Sequence, residues 1–476
     1  MTRATRAPHY ERLSAVDAMF LEIEDERAMM HVGAVAVFDA GPLAKPEGGI
    51  DIERIRSLVE GLLVPRYRQR IVRVPVTGHP VWVDDPHFNL HYHLRHTSLP
   101  APGDDRQLKR LAGHVMSLPL DRAKPLWELW VVEGLAENRF AIITKTHHCM
   151  VDGVGSAELM TASMGTAPSS ELPKAKPWRA RPAPGPLDFA RGELRRNLGG
   201  ALAALRAAGR AVSDPLAAAR ALRDGALGIG EAFASSFQRA SPTPLNVEIG
   251  PHRRFDWIRF DLGAVKEVKN QLGGTVNDVV LATVSSALRR FLKARGEDPS
   301  KLEFRAMIPV NIRTRDEAGA GGNRVTMVAA RLPLEERDPR KRLQRVIETT
   351  RQFKASHQAR GVQLIGEISE LGLTALFARF ARLTALTRPF NVVVTNIPGP
   401  QFPVYLLGAR MLAAYPLVPL YRNQALGIAL FSYDGGLFWG LNADWDRMPD
   451  LHELAEALAL EFEALRKASA PHKTGA

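Results

Sequence analysis

Residues 166–186 hold six prolines and separate two long stretches that each alternate strand-like and helix-like patterns. Proline has no backbone N–H and a fixed φ, so neither a helix nor a sheet can run through this segment, which reads as an extended linker. A basic, alanine-rich helical pattern follows over Leu187–Leu222, broken at Ser213-Asp214-Pro215. The chain therefore divides into an N-terminal part (1–165), a connector (166–245) and a C-terminal part (246–476). With 476 residues, 45% of them apolar, it is long enough for more than one core and too apolar for wholesale disorder. Two α/β halves on a long connector predict a pseudo-dimer with a cleft between the halves.

Periodicity supports that class. Val32–Phe38 and Phe140–Lys145 read as strands, and Ile50–Leu63 carries Ile52, Ile55, Leu58, Val59 and Leu62 at helical spacing. Val154–Met164 reads as a helix. In the second half Thr275–Lys293 reads as a helix whose one polar stripe member, Thr283, can bond back to a carbonyl one turn earlier. Phe304–Pro309, Val325–Leu332, Asn391–Asn396 and Ala425–Tyr433 read as strands. Asp338–Ala359 reads as a helix capped by Asp338 with Pro339 at its first position, and Leu451–Ser469 as the last helix.

The net charge of +12 is concentrated. Lys174–Arg210 holds nine Lys/Arg and two Asp/Glu, net +7. That stretch is either a solvated crossover or a basic amphipathic surface for anionic lipid. No basic patch interleaved with stacking aromatics is present, which argues against nucleic acid. The single cysteine, Cys149, excludes an intramolecular disulfide framework and any multi-cysteine metal site. The first 18 residues lack an apolar h-region, and Asn391–Ala409 is too rich in Pro and Gly for a membrane span. Leu371–Leu386 is apolar on nearly all sides save Arg379 and Arg382, so it belongs either to a core or against a lipid surface.

The chemistry concentrates in His147-His148-Cys149-Met150-Val151-Asp152-Gly153, an HHxxxDG pattern after a strand. Adjacent histidines at a strand end point in opposite directions, so one can face a cleft while the other supports the loop. An aspartate four or five residues on can fix the loop or an imidazole, and Gly153 relieves the turn. A neutral imidazole suits removal of a proton from a hydroxyl or thiol. No G-x-S-x-G elbow occurs, so a covalent serine route has no support. The Cys149 thiol is an alternative nucleophile, but a base alone accounts for the pattern. His91, His93 and His96 could supply a further metal ligand, yet no HExxH-type spacing accompanies them, and no metal is expected.

From Leu13 to about Leu465 the chain resembles the bacterial wax ester synthase/diacylglycerol acyltransferase family, within the CoA-dependent acyltransferases. HHxxxDG alone is shared with peptide-synthetase condensation domains and carnitine acyltransferases. Leu13-Ser-Ala-Val-Asp-Ala-Met-Phe20, Met30-His-Val-Gly33, Pro125-Leu-Trp-Glu128, Val276-Asn-Asp-Val-Val-Leu-Ala282, Pro309-Val-Asn-Ile-Arg313 with Gly322-Asn-Arg324, and Asn391-Val-Val-Val-Thr-Asn-Ile-Pro-Gly-Pro400 resemble the family's other signatures in order.

The resemblance implies two chloramphenicol-acetyltransferase-like subdomains with an active-site tunnel at their interface. It implies acyl transfer from acyl-CoA to the hydroxyl of a diacylglycerol or long-chain alcohol, with acyl-CoA as co-substrate and no permanently bound cofactor. His148 carries over as general base, His147 as its partner, and Asp152 and Gly153 as the structural part of the motif. Asn277 and Asp278 carry over as active-site support, Asn277 toward an oxyanion, although Asn277 or Thr275 could equally be a helix cap. Trp127 reads as packing, Arg313 as a structural arginine or a partner of Asp152, and Asn391 and Asn396 as shaping the second half. The implied place is cytoplasmic, peripheral to a membrane or lipid inclusion. Another hydroxylated lipid as acceptor, a carrier-protein donor, and a non-catalytic droplet-coating protein are the alternatives; the intact HHxxxDG argues against the last.

Overall fold

The computed structural model describes residues 9–75, 77–150, 164–174, 177–196, 198–199, 239–311, 325–355 and 389–470. The strands, in chain order, are Glu11–Arg12 (β1), His31–Asp39 (β2), Gln69–Arg73 (β3), Pro80–Asp84 (β4), Leu94–Ser98 (β5), Trp127–Leu135 (β6), Arg139–His147 (β7), Arg253–Asp261 (β8), Arg305–Asn311 (β9), Val325–Arg331 (β10), Val392–Pro398 (β11), Tyr405–Leu406 (β12), Ala409–Leu417 (β13), Leu426–Tyr433 (β14) and Gly436–Asp444 (β15). They form two six-stranded sheets, ordered β12-β13-β2-β7-β6-β5 and β10-β9-β11-β14-β15-β8, and a small sheet β1-β4-β3. The α/β reading holds, and the predicted strands and helices on described residues fall within a few positions of the observed ones.

Thr283 Oγ1 donates to the Val279 carbonyl at 2.9 Å, and the Lys341 N–H donates to Asp338 Oδ1 at 2.9 Å. Both are the local bonds the sequence predicts. The last residues of the Asp338–Ala359 pattern, all of Val154–Met164 but its final residue, all of Leu371–Leu386 and most of Leu187–Leu222 lie outside the described residues.

The two halves exchange parts. β12 and β13, late in the chain, complete the first sheet, with β13 antiparallel to β2 from Met411↔Phe38 to Leu417↔Gly33. Conversely, Phe20, Ala28 and Met30, early in the chain, belong to the core built mainly by residues 245–465. Two glycines mark the close approaches this requires. A Cβ on Gly33 would lie 1.9 Å from the Thr144 carbonyl oxygen across the β2–β7 ladder, and one on Gly440 would lie 1.8 Å from the Pro416 oxygen where β15 meets β13. Neither position can carry a larger residue without moving backbone.

Within the connector, residues 177–189 are pinned to the small sheet and its surroundings. The Arg181 N–H and Nε donate to Asp84 Oδ2 at 2.9 Å each, and Nη2 donates to Oδ1 at 2.8 Å. Burial alone would raise the Asp84 carboxyl; these bonds and one from Gln69 outweigh it and bring the carboxyl to about 2. Trp178 sits edge-on to Phe88 and under the Arg68 guanidinium, while Phe189 is buried with Val74, Val81 and Val83. The helical residues 186–196 thereby dock one side and leave the other outward.

Candidate active site

β7 delivers the two histidines. Its register pairs His147 with His31 on β2, so both imidazoles stand on one face of the sheet. Each residue is 1% exposed. His147 closes the strand, and His148 begins a single 3₁₀ turn, His148–Met150. The two rings meet different neighbours, Glu24 for His147 and Phe20 for His148.

His147 is bonded at one ring nitrogen and faces a carboxylate with the other. The Cys149 N–H donates to His147 Nδ1 at 3.1 Å, so the neutral ring carries its proton on Nε2. Nε2 faces Glu24 Oε2 at 3.3 Å. Glu24 ends the Ala15–Ile23 helix, which starts where Ser14 Oγ accepts the Asp17 N–H at 3.1 Å. The carboxylate is a hub. Arg122 Nη2 donates to Oε2 at 2.5 Å, the Met30 N–H donates to Oε1 at 3.3 Å, and His31 Nε2 lies 3.6 Å away. Burial pushes its carboxyl up, but His147, Arg122 and His31 together pull it down to about 2.

His148 has a different setting. Its N–H donates to the Met30 carbonyl at 2.8 Å, and its ring stacks on Phe20 with centroids 3.9 Å apart and planes 17° from parallel. Phe20 and Met30 belong to the second core, whereas Cys149 and Met150 belong to the first. The imidazole therefore stands on the seam between the two. Nδ1 is buried, and no other described residue bonds it. Burial lowers the ring to about 4, with its own backbone opposing and His147 adding to the fall. At neutral pH the ring is uncharged and can accept a proton. Burial raises the Cys149 thiol well above its ordinary value, so it is a poor nucleophile at neutral pH.

Asp278 does other work. Thr275 caps the Val276–Ala294 helix: the Asp278 N–H donates to Thr275 Oγ1 at 3.2 Å, and the Thr275 N–H donates to Asp278 Oδ2 at 2.7 Å. Thr350 Oγ1 donates to Asp278 Oδ1 at 2.7 Å. Of the two cap candidates, Thr275 fills the position, and Asp278 is the third residue of a capping box. Asn277 is half-buried, and no described residue bonds its amide. Asp152, Gly153 and Arg313 lie outside the described residues.

Trp127 packs, stacking on His93 at 4.6 Å and donating through Nε1 to the Tyr67 carbonyl at 2.8 Å. His93 Nδ1 lies 2.8 Å from the Trp127 carbonyl. Among the described residues no three His, Cys, Asp or Glu gather as a metal-ligand set. Asn391 is fully buried, bonding Asn246, the Ser241 carbonyl and the Arg305 N–H, which is the shaping role read for it.

Glu24, Arg122 and Lys145 are the site residues that sequence reasoning missed. Lys145, two positions before His147 and fully buried, donates through Nζ to the Val115 and Leu118 carbonyls at 2.9 and 2.6 Å. Burial lowers its ammonium to about 8. It ties β7 to the C-terminal end of the Asp105–Ser117 helix, where a cation suits the exposed carbonyls. No local pattern marks Glu24; it meets His147 only through the tertiary fold.

Comparison with known proteins places this geometry. Residues 13–280 match the family profile described as "Wax ester synthase/diacylglycerol acyltransferase catalytic domain", and residues 321–466 match the "WS/DGAT C-terminal domain". The chain is 32% identical over 457 residues to the Mycobacterium tuberculosis protein named "Probable diacyglycerol O-acyltransferase tgs1", covering 94% of each chain. It is 33% identical over 473 residues to "Probable diacyglycerol O-acyltransferase tgs2" of the same species, covering 95% of this chain and 98% of that one. Among solved structures it is similar to the wax ester synthase/diacylglycerol acyltransferase from Marinobacter aquaeolei VT8, with TM-score 0.67, 26% identity, and 96% and 99% of the two chains covered. The first condensation domain of the calcium-dependent antibiotic synthetase shares the fold at TM-score 0.59 and 17% identity, covering 99% of this chain and all of that one.

Proposed function

The chain belongs to the wax ester synthase/diacylglycerol acyltransferase family and is an acyltransferase, and from that premise we propose that His148 is the general base for transfer of a long-chain acyl group from acyl-CoA to a lipid hydroxyl. The acceptor is a diacylglycerol or a long-chain alcohol, and the products are a triacylglycerol or wax ester and free CoA. The observation that carries this reading is the His148 ring itself: uncharged at neutral pH, fixed by Phe20 and Met30, and standing on the seam between the two cores.

The proton path balances without an enzyme nucleophile. Nδ1 is buried and meets its own backbone, which leaves Nε2 as the base. Nε2 takes the hydroxyl proton as the alkoxide oxygen attacks the thioester carbonyl. When the tetrahedral intermediate collapses, the C–S bond breaks and the imidazolium returns the proton to the departing thiolate. Positioned base catalysis contributes on the order of 10²–10⁴-fold, and orientation and oxyanion stabilisation supply the remainder. His147 contributes by orientation, through the Cys149 N–H on one side and Glu24 on the other. Asp152 and Gly153, outside the described residues, are assigned the structural part of the motif. Asn277 offers its amide toward the oxyanion, and Asp278 sets the start of the helix that carries it.

Lipid substrates place the enzyme at a membrane or lipid-inclusion surface on the cytoplasmic side. Among the described residues no helix is long and apolar enough to cross a membrane. Two features favour surface contact. The outward side of helical residues 186–196 exposes Leu187 and Leu194, 72% and 61% open, and beside them stand exposed Arg191 and Arg195. Leucines flanked by arginines suit an anionic bilayer.

The test of the reaction uses labelled palmitoyl-CoA with dioleoylglycerol or hexadecanol and chromatographic separation of products. Ester from either acceptor by the wild type, and at least about a hundredfold less by His148→Ala, is the expected result. No ester from the wild type with either acceptor removes the reading. For the surface, flotation with vesicles containing anionic phosphatidylglycerol should recover the wild type and lose Leu194→Glu at low salt; binding indifferent to salt and lipid charge would remove that part.

A further inference from the structure

The turn that carries Glu24 and Met30 is held from the other half of the molecule. Inside the turn, Asp25 Oδ1 accepts the Arg27 N–H at 2.9 Å and the Ala28 N–H at 2.8 Å. Its carbonyl at Arg27 accepts from Arg253 Nη2. Arg253 opens β8, and its side chain is 3% exposed. Nη1 donates to the Gly250 and His252 carbonyls at 2.8 and 3.1 Å, with Asp444 Oδ2 at 3.9 Å. The Arg253 backbone N–H donates to Ser117 Oγ at 2.8 Å. A guanidinium is a rigid planar fork of donors, and this one joins three carbonyls from two parts of the chain. An outer tie runs parallel to it: Arg27 Nη1 reaches Glu248 at 2.7 Å, and Arg422 reaches Glu248 and Asp25 at 2.9 and 3.4 Å. Those pairs are exposed and contribute little. The buried link is Arg253.

We infer that Arg253 is a positioning residue for acyl transfer: by gripping the Arg27 carbonyl from the second half, it fixes the Glu24–Met30 turn and, through that turn, both motif histidines. The inference rests on the proposed role of His148. Its logic follows the bonds. Met30 holds the His148 backbone, and Glu24 faces the His147 ring. Release of the turn loosens both supports at once, while leaving the substrate-contacting surfaces chemically unchanged. A displacement near 1 Å at a reacting group costs about a hundredfold in rate.

The test compares Arg253→Met, which keeps the apolar stem and deletes every donor, with Arg253→Lys, which keeps one. Arg253→Met should lower kcat about tenfold to a hundredfold with KM for acyl-CoA and acceptor within about twofold, and Arg253→Lys should recover most of the loss. A kcat per folded molecule equal to wild type in Arg253→Met, with only the melting temperature lowered, overturns the inference. If Arg253→Met does not fold, Asp25→Ala carries the test. It releases the same turn from a half-exposed position, and it should lower kcat severalfold with KM unchanged; unchanged kcat overturns the inference. Wild type and His148→Ala run alongside: a wild type that makes no ester defeats the acyltransfer reading itself, whereas an active wild type with fully active turn variants defeats only the role of Arg253.

Discussion

Two acidic residues at helix ends, Asp278 buried and Glu24 largely so, do unlike things. Asp278 at the start of the Val276–Ala294 helix is satisfied mostly by Thr275, three positions away, in a capping box. Glu24 at the end of the Ala15–Ile23 helix accepts from distant Arg122 and from Met30 on its own turn, and it faces distant His147. Asp278 lies in a segment that resembles a family signature, and its carboxylate closes the capping box begun by Thr275 and bonds Thr350. Glu24 carries no recognisable pattern and faces a motif histidine. The difference teaches that a carboxylate prominent in a motif can shape a backbone, while the carboxylate that faces a motif histidine is recruited by tertiary contact.

That contrast can be broken experimentally, beginning with the group both acids are compared through. His148→Ala should lower kcat by about 10²–10⁴-fold while circular dichroism stays native, because the base is lost and the fold is not. Glu24→Gln should lower kcat by about tenfold or more, since His147 then loses the charge that orients its Nε2 proton. A Glu24→Gln enzyme with wild-type kcat would put Glu24 in the same class as Asp278.

Glu24 also has a pH signature in stability. Its folded carboxyl lies at about 2, below the usual 4.5, so its contribution is complete above pH 4.5 and is lost as pH falls toward 2. The size is on the order of 3 kcal/mol. Acid unfolding followed by circular dichroism should therefore find Glu24→Gln already less stable at neutral pH, with a shallower fall between pH 4.5 and 2 than in wild type. The smallest effect is expected from Asp278→Ala: about 1–2 kcal/mol lost in urea unfolding from the capping box, and kcat per folded molecule unchanged. A large loss of kcat at native stability would move Asp278 into the chemistry and erase the contrast.

The sequence carried the local half of this account. Strand and helix periods, the Thr283 back-bond and the Asp338 cap are all set by residues within a turn or two of each other, and each is found where the pattern puts it. HHxxxDG was legible because the strand-to-turn change sits inside seven residues. Glu24, Arg122 and Lys145 were not, because each acts on an element distant in the chain, and one carboxylate or lysine among many has no periodicity to expose it. The exchange of β12 and β13 into the first sheet was equally hidden. Strands late in the chain pair by register with β2, and register is written in two segments at once rather than in either alone. The connector is a middle case: its prolines announced an extended run, but its grip on Asp84 through Arg181 depends on where the small sheet lies.

The claim at the centre is that His148 is a base made uncharged by its place on the seam, and the pH dependence of kcat/KM for ester formation tests it most directly. Burial brings the ring to about 4. The acid limb should therefore have its midpoint near pH 4, with activity flat through pH 6.5, in enzyme whose circular dichroism remains native across the range. An acid limb centred on pH 6.5, the value of an open imidazole, would contradict it.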